Sequence, residues 1–95
     1  MITIEDLKET ISKLASKYSI TKVNLFGSYA DGTANEDSDI DLLVEFDTKN
    51  VSLIKLSALK IEITEELKNE VDIVHGPISE KSLLEIKRVI QIYEQ

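Results

Sequence analysis

The sequence predicts an α/β protein, one small mixed sheet of about three to four strands covered by helices. Three observations carry that expectation. Apolar residues recur at helical spacing over residues 4–18 and again from Ser52 to Asn69. Between and after these stretches lie short runs rich in β-branched residues, bounded by glycine or polar loops. The resulting order, αβ(α)βαβα, alternates strands with helices able to cover them. A chain of 95 residues, 42% hydrophobic and 31% charged, is apolar enough to fold and is read as a single domain over residues 1–95.

Thr3 stands where a helix cap is needed, with Glu5 and Asp6 in the first turn, and Ile4, Leu7, Ile11, Leu14, Ala15 and Tyr18 then share one stripe, so residues 4–18 read as an amphipathic helix. "ITKVNLF" follows as a strand with Ile20, Lys22, Asn24 and Phe26 on one face and Thr21, Val23 and Leu25 on the other. Gly27 ends it, residues 28–31 make one or two helical turns, and "GTANEDS" is a polar loop leading to a strand from Asp39 to Phe46. After the loop "DTKNVS", a stripe of Leu53, Leu56, Leu59, Lys60, Ile63 and Leu67 marks a second long helix ending near Asn69. "EVDIVHG" is a short strand, and the helix before it places residues 71–74 in the same sheet as residues 39–46. Pro77 interrupts the chain, after which Ser79 caps an expected final helix bearing Leu83, Leu84, Ile86, Val89, Ile90 and Tyr93.

Composition removes several function classes. With no cysteine there is no disulfide, thiolate nucleophile or zinc–thiolate site, and a reducing cytoplasm is the expected compartment. The N-terminus lacks a basic segment followed by an apolar core, so no secretion signal is expected, and no apolar run is long enough to cross a membrane. A net charge of −7 argues against direct binding of nucleic acid through phosphates and against an anionic membrane surface. It is compatible with a basic protein partner, or with a nucleotide delivered together with divalent cations.

The strand at residues 39–46 raises the chemical question. Its alternation sends Ile40, Leu42, Val44 and Phe46 to one face and Asp39, Asp41, Leu43 and Glu45 to the other, setting two aspartates close together. Neighbouring carboxylates repel and raise one another's pKa unless a cation lies between them. Asp72, in "VDIV", again puts a charge inside an apolar strand. Any one of these aspartates is explained by a turn or a solvated strand face; three of them on adjacent strands point to a shared site. Oxygen ligands without cysteine or a second histidine select magnesium or manganese. Gly27 directly after a strand permits close approach of a ligand to the backbone, and Ser28 with the following N–H groups can donate to phosphate oxygens. His75, a lone histidine, is read as structural or exposed, and Tyr29 and Tyr93 as packing residues ahead of a base-stacking or acceptor role.

Taken together, Gly27-Ser28, Ala30, Gly32, Ser38-Asp39-Ile40-Asp41-Leu42 and the later Asp72 resemble the DNA polymerase β-like nucleotidyltransferase superfamily. The short chain is similar to the minimal nucleotidyltransferases of the MNT type, antitoxins of HEPN/MNT toxin–antitoxin pairs. The resemblance implies the nucleotidyltransferase fold, an ATP whose triphosphate is held by Gly27 and Ser28, and two Mg2+ or Mn2+ ions bound by Asp39 and Asp41. Asp72 would complete one metal site and help deprotonate the incoming hydroxyl. The implied reaction is transfer of AMP to a tyrosine of a partner HEPN-domain toxin, and the expected assembly is a homo-oligomer or a hetero-oligomer with that toxin. The sequence departs from the family pattern at Asp31, where many relatives carry a basic residue. The competing reading from another class is a binding module of the same fold that neutralises a toxin by contact. A third, adenylylation of a small molecule, calls for an acceptor domain that this length does not hold.

Overall fold

The computed structural model describes residues 2–48, 50–77 and 88–95. Helix α1 (Ile4–Tyr18) opens the chain, followed by strand β1 (Ile20–Phe26), the short helix α2 (Ser28–Asp31), strand β2 (Ile40–Phe46), helix α3 (Leu53–Leu67), strand β3 (Val71–His75) and strand β4 (Ile90–Glu94). The four strands lie in the order β3-β2-β1-β4. β1 pairs antiparallel with β2 and with β4, whereas β2 and β3 run parallel. Parallel neighbours need a long crossover, and α3 supplies it.

Local chemistry starts both long helices. The Thr3 hydroxyl accepts from the Asp6 N–H at 3.1 Å while the Asp6 carboxylate accepts from the Thr3 N–H at 3.0 Å, a reciprocal cap that satisfies two donors which the helix itself leaves without partners. Ser52 caps α3 through the Lys55 N–H at 3.1 Å. Leu7 and Ile11 of α1 and Leu59 and Ile63 of α3 are fully buried against Val23, Leu25, Ile40, Leu42, Val44 and Val71 of the sheet. Each such side chain contributes about 1.5–3 kcal/mol through removal from water. Across the seam between the helices, Lys13 pairs with Glu66 at 2.9 Å and Lys17 pairs with Glu62.

The structure corrects the sequence reading in three places. Ile90 and Tyr93, expected on a final helix, lie in strand β4; Val89 precedes it without helical structure, while Ser79, Leu83, Leu84 and Ile86 fall outside the described residues. The open edge of β1 offers a row of hydrogen-bonding groups, and pairing there buries Ile92. Ile20, assigned to the face opposite Val23 and Leu25, is also buried, because the pairing with β2 shifts register between Ile20 and Lys22 and turns its side chain inward. Leu53, placed on the apolar stripe of α3, is 79% exposed, and Lys60 is exposed as well; only Leu59, Ile63 and Leu67 of that stripe are buried.

Candidate active site

Strand β1 ends at Phe26, and Gly27 turns the chain with φ 76° and ψ −154°, a conformation that side-chain-bearing residues essentially never adopt. Its second reason to be glycine is spatial. A methyl group built there would collide with a carboxylate oxygen of Asp41 and sit 3.2 Å from its Cγ. The Gly27 carbonyl accepts from the N–H groups of both Ala30 and Asp31 at 3.0 Å, fixing α2, while the Ser28 and Tyr29 N–H groups remain outside these turn hydrogen bonds. The turn that carries Ser28 is thereby held directly against the start of β2.

Phe26 pairs with Asp41 across the antiparallel ladder, and Asp41 pairs with Asp72 across the parallel one. Residues paired across a ladder project to the same face, so Asp41 and Asp72 stand side by side on the sheet face turned away from the apolar core. Asp39 lies one residue before β2, exposed. The Asp41 carboxyl is pushed up from the usual carboxylate range, first by partial burial and then by the negative charges of Asp72 and Asp39. Asp72 is exposed, with Lys60 Nζ 3.7 Å from one of its oxygens. Among the described residues no three acidic or histidine side chains converge in metal-holding geometry. The donor chemistry nevertheless fits a hard divalent cation: the three groups are carboxylates, and the most enclosed one is destabilised by charges that a cation would offset. Asp39 and Asp72 both lie at the surface, where their side chains are free of core packing.

The remaining candidates take structural roles. The His75 ring meets Phe46 edge-on at 5.5 Å, and Tyr29 packs on the core. Asp31 turns one carboxylate oxygen onto Thr33, accepting from its N–H at 3.0 Å and its hydroxyl at 2.6 Å, and so closes the loop after α2. One residue escaped the sequence reading. Asn69, expected only as a helix end, points its Nδ2 at the Tyr29 hydroxyl (3.2 Å) and the Ser38 carbonyl (3.5 Å).

Fold and strand-end carboxylates define an α/β protein whose polar chemistry is collected at one end of its sheet, beside a glycine–serine turn. The chain belongs to the nucleotidyltransferase domain family, whose model matches residues 7–95. It is 37% identical over 95 aligned positions, covering 90% of this chain and 95% of the other, to a protein of Methanocaldococcus jannaschii named as a protein adenylyltransferase. It is 33% identical to the protein adenylyltransferase MntA of Thermococcus cleftensis over 78% of each chain. Among solved structures it is similar to a chain described as a minimal nucleotidyltransferase, with a TM-score of 0.74, 31% identity and 94% and 95% of the two chains covered. A toxin–antitoxin crystal structure with AMP-PNP contains a chain matched at TM-score 0.76 and 25% identity, covering 93% of this chain and 73% of that one.

Proposed function

We propose that this chain transfers AMP from ATP to a tyrosine hydroxyl of a HEPN-domain toxin and thereby acts as its antitoxin, as a one-domain cytoplasmic enzyme in a hetero-oligomer with the toxin. The observation that carries the reading is Asp41: a partly buried carboxylate crowded by Asp39 and Asp72 and pressed against the Gly27 turn. Among the described residues the fold supplies that carboxylate with like charges instead of a partner, which is what a cation-dependent site needs and a structural one avoids. Support comes also from the relatives named as protein adenylyltransferases and from the similarity to a toxin–antitoxin structure with AMP-PNP.

In this reading Gly27 and Ser28 receive the triphosphate. The Ser28 hydroxyl and the Ser28 and Tyr29 N–H groups donate to its oxygens, and the missing side chain at Gly27 lets phosphate and Asp41 approach one backbone segment. Asp39, Asp41 and Asp72 would hold Mg2+ or Mn2+, which supplies positive charge for the α-phosphate and the leaving pyrophosphate. Asp72, the most accessible strand carboxylate of the set, takes the proton as the tyrosine oxygen bonds to the α-phosphorus and the bond to pyrophosphate breaks. Holding these groups in one frame replaces a chance encounter with a positioned one.

Mass spectrometry of a co-expressed HEPN partner tests the proposal. Toxin from cells with the wild-type chain should gain AMP-sized mass, and toxin from cells with Asp39→Asn/Asp41→Asn should gain none. Unmodified toxin beside a protective wild-type chain would overturn transfer in favour of neutralisation by contact.

A further inference from the structure

We infer that Asn69 is a positioning residue that clamps the triphosphate turn to the carboxylate-bearing strand. Three segments build the candidate site: the turn at residues 27–31, the start of β2, and the start of β3. They come from different parts of the chain, yet all meet at the junction between α3 and β3. Lys68 ends α3 in a left-handed conformation (φ 54°), which turns the chain so that Asn69 faces inward. From there its single amide reaches Tyr29, next to Ser28, at 3.2 Å, and the carbonyl of Ser38, next to Asp39, at 3.5 Å. The following carbonyl, Glu70, accepts from the Ile40 N–H at 2.9 Å and starts the ladder that aligns Asp41 with Asp72.

The amide donor is what the geometry uses. A side-chain NH2 has two hydrogens and can serve two acceptors at once, which neither a carboxylate nor an apolar side chain of similar size does. The Tyr29 ring packs against the core and carries its hydroxyl to Asn69; the Ser38 carbonyl belongs to the loop that delivers Asp39. Bridging the two sets the distance between phosphate donors and metal-binding carboxylates. The inference rests on the adenylyl-transfer reading for its kinetic consequence, while the clamp itself is a property of the fold.

Asn69→Leu keeps side-chain volume close and removes both donors. Because small displacements of reacting groups cost up to about 100-fold in rate, kcat for adenylyl transfer per folded molecule should fall about 10- to 100-fold, with KM for ATP changed by less than about threefold. Tyr29→Phe should give a smaller fall, and adding it to Asn69→Leu should change nothing more, since that bond is already gone. Amide hydrogen exchange reads the clamp without turnover: in Asn69→Leu, peptides covering residues 28–34 and 36–41 should exchange faster together, while residues 4–18 keep wild-type protection. Wild-type kcat in Asn69→Leu, or exchange unchanged in both segments, would overturn the clamp. Failure of the wild type to transfer AMP would instead strike the reaction, and the exchange experiment would still decide for or against Asn69.

Discussion

Glu62 and Asp41 are both carboxylates on regular secondary structure, and the molecule treats them in opposite ways. Glu62, in the seam between α1 and α3, is held below the usual range, first by its hydrogen bond from Lys17. Asp41, at the strand ends, is pushed above it by burial and by two more aspartates. The seam resolves its charges pairwise with Lys13 and Lys17, as a surface built only for stability does; at the strand ends three aspartates gather beside the cation of Lys60, which lies on Asp72 and not on Asp41. The crowding of like charge on Asp41 falls in the region where the family's chemistry is expected, and favourable packing elsewhere in the fold offsets it.

Four substitutions test how separate these regions are. Ile11→Ala, in the core beneath the helices, should have the largest effect on stability, about 2–5 kcal/mol by chemical denaturation, while the transfer rate per folded molecule stays at the wild-type value. A rate that falls with stability would mean the core and the site are not independent. Gly27→Ala comes next. The forced backbone conformation costs about 1–3 kcal/mol, and the methyl group displaces Asp41, so both the thermal midpoint and adenylyl transfer should drop.

Asp41→Asn should do the reverse for stability, and pH gives its signature. A carboxyl whose folded pKa is raised binds protons more readily when folded, so its ionisation costs stability as pH rises from the unfolded value, about 3.9, through the folded one. The cost is present in full once the pH lies above the folded value and absent below both values. Asp41→Asn should therefore raise the melting temperature at pH 7, with the gain vanishing as pH falls below about 4; a gain that grows on acidification would contradict the assignment. The smallest effect is expected at the seam: Lys17→Met should leave the melting temperature within experimental scatter, because an exposed ion pair contributes little.

Much of this contrast is legible in the sequence. Alternation alone puts Asp41 and Asp72 on one face, since a charge within an apolar strand has only the solvent side to go to. Helix α1 is announced by Thr3 and a stripe ending at Tyr18, and these are its bounds. Strand β4 was not legible because Ile90, Ile92 and Tyr93 form a run too short for periodicity to decide; the pairing edge of β1, about 70 residues earlier, decides it. Asn69 was hidden for a related reason: its partner Tyr29 is 40 positions away, and an asparagine after a helix ordinarily means a turn.

The sheet order has a kinetic consequence. β1 and β2 are joined by a short connection and pair antiparallel, so Gly27 and Asp41 meet through contacts that are local along the chain. Asp72 arrives only once α3 has crossed over, and the pairing of Lys22 with Glu94 closes about three quarters of the chain. Contacts between distant residues carry the larger loop-closure entropy and form later. During refolding, the strand ends that carry Asp41 and Asp72 are thus expected to take their shape before β4 zips onto the sheet, so that the outer edge of β1 is the last to close.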